Sequence, residues 1–167
     1  MKIAILGYGV EGKDAEQYFQ SKGHDCQVFD HFTAEDIPDF HLEDYDLVLR
    51  SPSVHPLGQW SSLTQYFFQH CPSKIIGVTG TKGKGTTCSL IVALLKAIGQ
   101  RPYLVGNIGT SAITVLDKLS ENDVVVYELS SFQLWDLKQS PHVAVVLRVE
   151  PDHLDIHDDY ADYLNAK

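Results

Sequence analysis

Cysteine is scarce in this sequence, with three residues in 167. They stand at positions 26, 71 and 88, and no two of them form a Cys-x-x-Cys pair. An odd and scattered set of this kind indicates neither a disulfide framework nor a zinc knuckle. We therefore expect a protein of the reducing cytoplasm.

Basic residues are also few. The chain has 13 lysines and arginines against 22 acidic residues, for a formal net charge of -9. A protein that binds nucleic acid through its surface needs clustered positive charge. The composition therefore predicts no nucleic-acid partner, and any bound phosphate must be held by a local site.

Long apolar runs are missing as well, since no uninterrupted run approaches the length that crosses a membrane. The N-terminus passes from Met1 directly into a short apolar stretch and a glycine turn, which does not resemble a secretory signal. We expect no membrane partner. Hydrophobic residues make up 44% and charged residues 21% of the chain, which is typical of one medium globular domain or two small ones.

The first part of the chain alternates strands and helices. The patterns predict strands at residues 2–6, 26–30 and 46–50 and helices at residues 13–22 and 61–70. This alternation is typical of a parallel sheet covered by helices. We place a Rossmann-like domain at residues 1–71, with its boundary near Pro72.

A second strand, loop and helix series begins after that proline. Strands are predicted at residues 74–79, 124–128 and 143–149, and helices at residues 84–98, 111–119 and 158–167. The sequence therefore predicts an α/β fold in which a P-loop-type ATPase domain, residues 72–167, follows the first. Because the last helix has no capping glycine, we expect an incomplete domain with a frayed end and a mobile Lys167.

A glycine turn, Gly7, Gly9 and Gly12 in the sequence GYGVEG, lies between the first strand and the first helix. Backbone amides at such a turn can hold a diphosphate, and Asp30 is placed to accept from a ribose hydroxyl. A tight turn without any nucleotide fits the same pattern. The glycines alone do not identify the ligand.

A stronger phosphate-binding pattern, GVTGTKGKGTT at residues 77–87, lies between a predicted strand and a long helix. Its glycines allow backbone amides to close around phosphate oxygens, while Lys84 would neutralise the β- and γ-phosphates. The hydroxyl that normally follows the lysine is replaced by Gly85, so Thr86 would supply an oxygen to magnesium. An ordinary glycine-rich turn would tolerate two lysines poorly without an anion.

Glu128 ends a predicted strand, at the edge where α/β proteins bind ligands. A carboxylate at that edge is suited to magnesium, although periodicity alone favours a solvated carboxylate at a strand end. His153 lies in an acidic stretch that either faces solvent or gathers around a cation.

Four motifs in order resemble those of the Mur ligase family. They are GTKGKGT at residues 80–86, GNIG at residues 106–109, ELSSFQL at residues 128–134 and PDHLD at residues 151–155. The third is similar to the signature of the members that add D-glutamate. Four residues depart from the family pattern or occupy unusual positions: Ser53, Lys82, Gly85 and Arg148. The segment between Pro56 and Lys74 is shorter than is usual in the family.

The resemblance implies an ATP-dependent ligase that joins D-glutamate to UDP-N-acetylmuramoyl-L-alanine through an acyl phosphate, with ATP and Mg²⁺ as cofactors. It implies that Lys84, His153 and a carbamylated Lys167 are catalytic, and that Thr86, Glu128, His153 and Lys167 bind metal. The nucleotide would be held by the phosphate-loop residues, which are Gly80, Thr81, Lys82, Gly83, Lys84, Gly85, Thr86 and Thr87. The acceptor would be held by Gly7, Gly9, Gly12, Asp30, Ser51 and Asn107, and His31 would line the uridine site. His157 is expected at the surface or behind the metal ligands.

Two other functions remain open at this point. A folylpolyglutamate synthase-like ligase is favoured by the hydroxyl residue after Lys84-Gly85 but opposed by the glycine-rich first domain. A nucleotide-binding module without turnover is the other alternative. Because the resemblance covers no C-terminal ligase domain, we expect that the 167-residue chain alone does not complete catalysis.

Overall fold

We describe a computed structural model of the chain, in which residues 1–56 and 60–167 are described. The first half forms a parallel sheet in the order β2-β1-β3-β4. Its elements are β1 (Lys2–Leu6), α1 (Val10–Ser21), β2 (Asp25–Phe29), β3 (Leu47–Arg50), β4 (Ser61–Ser62) and α2 (Leu63–His70), with 3-10 segments at Ala34–Phe40 and Leu42–Asp44.

The second half forms another parallel sheet, in the order β6-β7-β5-β8. Its elements are β5 (Lys74–Thr79), α3 (Lys84–Ala97), β6 (Pro102–Gly106), β7 (Val124–Glu128), α4 (Ser131–Leu134), β8 (Val143–Val146) and α5 (Tyr160–Ala166), with a 3-10 segment at Ala112–Lys118. Two helix-covered parallel sheets confirm the predicted α/β fold class.

The central strands form because their residues are apolar on both faces. Four of the five residues of β1 are buried, as expected for a strand covered on both sides. The helix α1 begins at Val10, three residues earlier than predicted, because Gly9 takes an extended conformation as its N-cap. The helix α2 begins at Leu63, where the hydroxyl of Ser62 accepts from the amide of Gln65.

The second half differs from the sequence prediction in several places. Residues 112–118 form a 3-10 segment rather than an α-helix, and β8 ends at Val146 rather than at residue 149. The strand β6 was not predicted, because it begins with Pro102. At the first residue of an edge strand proline costs no ladder hydrogen bond, so the strand forms there nonetheless.

The two sheets are joined by packing and by buried polar contacts. Phe67 of α2 packs edge-to-face on Tyr127 of β7, so α2 contributes to the core of the second half. At the end of β3, the guanidinium of Arg50 is fully buried and donates from Nε to Asp136 Oδ2 at 2.9 Å. Near the outer rim, Lys22 pairs with Asp117 at 2.9 Å.

The last helix is docked, contrary to the expectation of a frayed end. Tyr163 is 1% exposed, and its hydroxyl lies 2.9 Å from Thr81 Oγ1. Lys167 donates from Nζ to the carbonyl oxygen of Gly80 at 3.1 Å. Tertiary contacts therefore hold a helix end that local sequence signals leave uncapped. Among the described residues, no helix is long and apolar enough to cross a membrane.

Candidate functional site

The glycine loop after β5 has the backbone geometry that its sequence predicts. Gly80 and Gly83 have φ values of +138° and +86°, and Gly83 forms the left-handed N-cap of α3. A Cβ at position 80 would lie 2.7 Å from Leu147 Cβ, so this position requires glycine for space as well as for conformation. The loop therefore presents the N-terminus of a 14-residue helix to the edge of the sheet.

The lysine of this loop folds back over the loop backbone. The ammonium of Lys84 donates to the carbonyl oxygens of Gly80 at 3.0 Å and Thr81 at 3.1 Å. Lys82 and Thr86 are exposed, whereas Thr87 is half-buried. The hydroxyl of Thr81 contacts both Tyr163 and the amide of Glu150, which donates at 2.8 Å. Thr81 thus fixes the loop to the last part of the chain.

Glu128 places a buried carboxylate beside the first turn of α3. The residue is 4% exposed, and Oε1 accepts a hydrogen bond from Asn107 Nδ2 at 3.4 Å. Its other oxygen, Oε2, has no hydrogen-bond partner within the described part of the chain. A Cβ added at Gly85 would lie 3.3 Å from that oxygen, so the carboxylate faces the helix N-terminus. A desolvated carboxylate oxygen without a donor fits a hard cation such as Mg²⁺.

Lys167 reaches the same loop from the end of α5. Its ammonium donates to Thr79 Oγ1 at 3.2 Å and to the carbonyl of Gly80 at 3.1 Å. Burial lowers the pKa of Lys167, the neighbouring charge of Lys84 lowers it further, and Asp152 opposes them, for a value of about 8. A substantial fraction of this side chain is therefore a neutral amine near physiological pH.

His153 is half-exposed and takes a left-handed backbone conformation, with φ at +53°. Its amide donates to Asp152 Oδ1 at 3.0 Å, and its ring meets Phe132 edge-on at 5.1 Å. Across residues 1–56 and 60–167, no three histidine, cysteine or acidic side chains gather closely enough to hold a metal by themselves. The structure thus brings Lys84, Lys167 and Glu128 to one loop and leaves His153 on the neighbouring turn.

In the first half, the glycine turn packs directly on the serine loop after β3. Gly7 has a φ of +88°, and a Cβ there would lie 2.3 Å from Ser51 Oγ. Ser51 is 2% exposed and lies 2.9 Å from the hydroxyl of Ser53. The carboxylate of Asp30 accepts from the amide of Tyr8 at 3.0 Å. Asp30 and Ser51 therefore shape this turn, and Gly9 and Gly12 begin the helix beside it.

Two clefts open beside these residues. One of about 350 Å³ lies beside Gly7, Asp30 and His31. Another of about 280 Å³ lies between the two halves, lined by Asn107, Ser130, Gln133 and the ring of Phe132, among others. Of the predicted substrate residues, Gly7 and Asp30 line the first cleft and Asn107 lines the second, whereas Gly9, Gly12 and Ser51 line neither. Amides, hydroxyls and an aromatic ring are suited to a ligand with peptide and sugar groups.

Glu11 also lines the second cleft and was not predicted as a functional residue. Gln133 Nε2 donates to Glu11 Oε1 at 2.8 Å across the two halves. Burial raises the pKa of Glu11 to about 7, against the opposing effect of that hydrogen bond. No signal in the sequence identified it, because a charged residue in a glycine turn is ordinarily solvated.

Of the two positions expected for His157, the surface is wrong, since the residue is 3% exposed. Its two ring nitrogens lie 2.6 Å from Asp162 Oδ2 and 2.9 Å from Ser131 Oγ. Arg50, with its buried ion pair, was not predicted either. Arg50 ends an apolar strand and His157 stands in an acidic stretch, and neither local pattern identifies the tertiary partner.

The chain is similar to a known protein family and to several curated proteins. Residues 78–167 match the family model described as the Mur ligase middle domain. A UDP-N-acetylmuramoylalanine--D-glutamate ligase of Ruminiclostridium cellulolyticum is 33% identical over an alignment that covers 99% of this chain and 42% of the relative. A protein of the same name from Clostridium acetobutylicum is 34% identical, with coverage of 99% and 43%.

The chain spans less than half the length of these curated relatives. The alignment with the first of them extends over 196 positions, more than the 167 residues of the chain. The relative therefore carries additional residues inside the aligned region.

Proposed function

Because this chain belongs to the Mur ligase family, we propose that it is part of an ATP-dependent ligase that joins D-glutamate to UDP-N-acetylmuramoyl-L-alanine in peptidoglycan precursor synthesis. The observation that carries the proposal is the geometry of Glu128. Its partnerless oxygen faces the first turn of α3, next to a glycine loop that carries Lys84. A carboxylate at that place suits Mg²⁺ bound together with a nucleotide.

The phosphate loop would bind ATP through its amides. The ammonium of Lys84 now donates to the carbonyl oxygens of Gly80 and Thr81. With ATP bound it would donate to phosphate oxygens instead, because a hydrogen bond to a charged acceptor is stronger than one to a neutral carbonyl. Thr86 is exposed at the first turn of α3, so its hydroxyl is free to face the same region. Glu128 and Thr86 would hold a first Mg²⁺, and His153 with a carbamylated Lys167 would hold a second. These ions would neutralise charge on the transferred phosphoryl group.

The acceptor would lie across the two clefts. The uridine diphosphate would be held at the glycine turn and the chain around it, by Gly7, Gly9, Gly12, Asp30 and Ser51. Asn107, which lines the second cleft, would contact the peptide end. The reaction forms an acyl phosphate when an acceptor carboxylate oxygen attacks the γ-phosphorus and ADP leaves. The amine of D-glutamate then attacks the acyl carbon, phosphate leaves and the nitrogen loses a proton. The residues at the sheet edge would serve chiefly to position these groups.

A cytoplasmic location fits this proposal. The three cysteines are free, as expected in a reducing compartment, and none forms a disulfide within the described ranges. ATP and both proposed substrates are small molecules, so the reaction needs no macromolecular partner.

The deciding experiment is ADP release with UDP-N-acetylmuramoyl-L-alanine, ATP and Mg²⁺, on the polypeptide that carries this sequence. We expect release with D-glutamate and none with L-glutamate or without acceptor, while Lys84→Ala stays inactive under every condition. Turnover with a pteroate acceptor would favour the folylpolyglutamate alternative. Binding of Mg·ATP without release, in the longest polypeptide encoded with this sequence, would favour a non-catalytic module.

The first half is tested separately by calorimetry with UDP and NAD. We expect the chain to bind UDP in preference to NAD, because the resemblance to the Mur ligase family assigns the glycine turn and Asp30 to a uridine nucleotide. Tighter binding of NAD would contradict the assignment of the glycine turn to a uridine nucleotide.

A further inference from the structure

The imidazole of His157 is the centre of a buried hydrogen-bond network. Its side chain is fully buried, with Nδ1 at 2.6 Å from Asp162 Oδ2 and Nε2 at 2.9 Å from Ser131 Oγ. Trp135 Nε1 donates to the same oxygen of Asp162 at 3.2 Å. Both nitrogens of the ring are therefore engaged, and its orientation is fixed by two partners that are far apart in the sequence.

Serine, histidine and aspartate here have the order and distances of a nucleophilic triad. Ser131, however, is 2% exposed and its hydroxyl is buried against the imidazole. A nucleophile must reach the carbonyl carbon of its substrate, and this hydroxyl has no open side from which one could approach. The network is consequently suited to hold structure rather than to attack a substrate.

Aromatic rings close the space around the imidazole. Phe132 stacks on it with ring centroids 5.4 Å apart and an interplanar angle of 14°, and Tyr163 meets it edge-on at 5.3 Å. The same ring of Phe132 also contacts His153, with the two ring centroids 5.1 Å apart. His157 thus fixes a ring that contacts His153 directly.

The network connects three parts of the site. Ser131 follows β7 closely and is three positions after Glu128. The amide of His157 donates to the carbonyl oxygen of His153 at 3.0 Å, which closes the turn between the two histidines. Asp162 belongs to α5, the helix that leads to Lys167. One imidazole therefore ties the strand end of Glu128 to both His153 and Lys167.

We propose that His157 is a positioning residue, which through Ser131 and Asp162 sets His153 and Lys167 at fixed distances from Glu128. The inference rests on the proposed function, because it assigns those three side chains to one metal-assisted site. Mutation of side chains that hold metal-binding residues in place typically costs about 10- to 100-fold in metal affinity or activity. The network has the features of such a support: a fully buried imidazole, hydrogen-bond partners for both of its nitrogens and aromatic packing.

The test compares Ser131→Ala, His157→Gln and Asp162→Asn with the wild-type chain. ATP affinity is measured by calorimetry with and without Mg²⁺, and the accessibility of Lys167 is measured by amine labelling and peptide mass spectrometry. We expect the increase in ATP affinity on adding Mg²⁺ to be about tenfold smaller in each variant than in the wild type, while ATP affinity without Mg²⁺ is unchanged. Labelling of Lys167 should rise about tenfold, with exposed Lys96 as internal reference.

Ser73→Ala is the matched control. Ser73 is also buried, at 1% exposure, and its hydroxyl donates to the carbonyl oxygen of Ser120 at 2.6 Å, away from α5. It should retain the Mg²⁺ gain and the protection of Lys167. Ser131→Ala is the mildest change, so it decides the matter if the other two variants do not fold. Identical behaviour of folded Ser131→Ala and Ser73→Ala would overturn the proposal. A wild-type chain that does not bind Mg·ATP contradicts the proposed function instead, and labelling of Lys167 then still decides whether His157 positions it.

Discussion

Lys84 and Lys167 donate hydrogen bonds to the same oxygen, the carbonyl of Gly80, at 3.0 and 3.1 Å. Two ammonium groups at one acceptor repel each other. After burial, this repulsion is the next largest cause that lowers the pKa of Lys167. An anion at this loop would relieve the repulsion. The pair therefore concentrates positive charge where a phosphate is expected, in a chain whose net charge is -9.

Replacing Lys84 by alanine should weaken ATP binding by about 100-fold, the equivalent of one strong charge-assisted hydrogen bond to phosphate. The loop amides remain, but they are neutral donors facing a triphosphate. Calorimetry at fixed ionic strength measures the effect. Lys96→Ala is the control, because it removes the same charge from an exposed position in the last turn of the same helix. Equal losses in both variants would show that only net charge matters.

Glu128→Gln should separate stability from function. Without Mg²⁺ we expect the variant to be more stable by about 1–3 kcal/mol, because it removes a buried carboxylate oxygen that lacks a donor. The gain in ATP affinity from Mg²⁺ should disappear at the same time. Denaturant unfolding without metal and calorimetry with metal measure the two effects. A variant that is less stable than the wild type would mean that the carboxylate is satisfied by a partner, such as ordered water.

The phosphate loop and its chemistry could be predicted from the sequence because they depend on neighbouring residues. The residues from Gly80 to Lys84 need only a preceding strand and a following helix, and both are present. The fold class followed from the same alternation of strands and helices. The resemblance to a family then supplied the roles of distant residues such as His153, which periodicity alone does not distinguish from solvent-facing acids and histidines.

Contacts between distant residues could not be predicted in the same way. The shared carbonyl of Gly80 depends on how α5 packs, and no local pattern reports that packing. The partner of Glu11 is 122 positions away in the sequence, and that of Arg50 is 86 positions away. The sequence shows only a charged group in each case, Glu11 in the glycine turn and Arg50 at the end of an apolar strand, whereas the tertiary structure shows what compensates for its burial.

Glu11 should make the stability of the chain depend on pH. Its pKa rises from an ordinary 4.5 in the unfolded chain to about 7 in the folded one, chiefly through burial. The folded state therefore binds more protons between these values, and stability falls as the pH rises from about 4.5 to 7. The full shift corresponds to about 3 kcal/mol at most.

The matched variant is Glu11→Gln, which keeps an oxygen for Gln133 but cannot ionise. It should be more stable than the wild type above pH 7 and show a flatter profile below it, as measured by denaturant unfolding across this range. Glu16→Gln, at a carboxylate on the same helix, should retain the wild-type slope. If the stability of the wild type and of Glu11→Gln changed in parallel with pH, the Glu11 carboxylate would be solvated and not buried.

Lys167 should form a carbamate more readily than the other lysines. The reaction requires the neutral amine: the nitrogen attacks the carbon of CO₂, a C–N bond forms and one proton is released. An ordinary lysine has a pKa near 10.4 and is almost fully protonated at pH 8, whereas about half of Lys167 is neutral there, because its pKa is about 8. The carbamate also exchanges a positive charge beside Lys84 for a negative one, which removes the repulsion at Gly80 and supplies the oxygen ligands that Mg²⁺ prefers.

With ¹³C-labelled bicarbonate, we expect a carbamate signal at Lys167 that grows as the pH rises through about 8 and is strengthened by Mg²⁺, while Lys96 shows none. Lys84→Ala should weaken the signal at pH 8, because loss of the neighbouring charge raises the pKa of Lys167, and Asp152→Asn should strengthen it by the opposite effect. If the carbamate formed equally at Lys96 and Lys167, neither the burial of Lys167 nor the charge of Lys84 could be the cause of its formation.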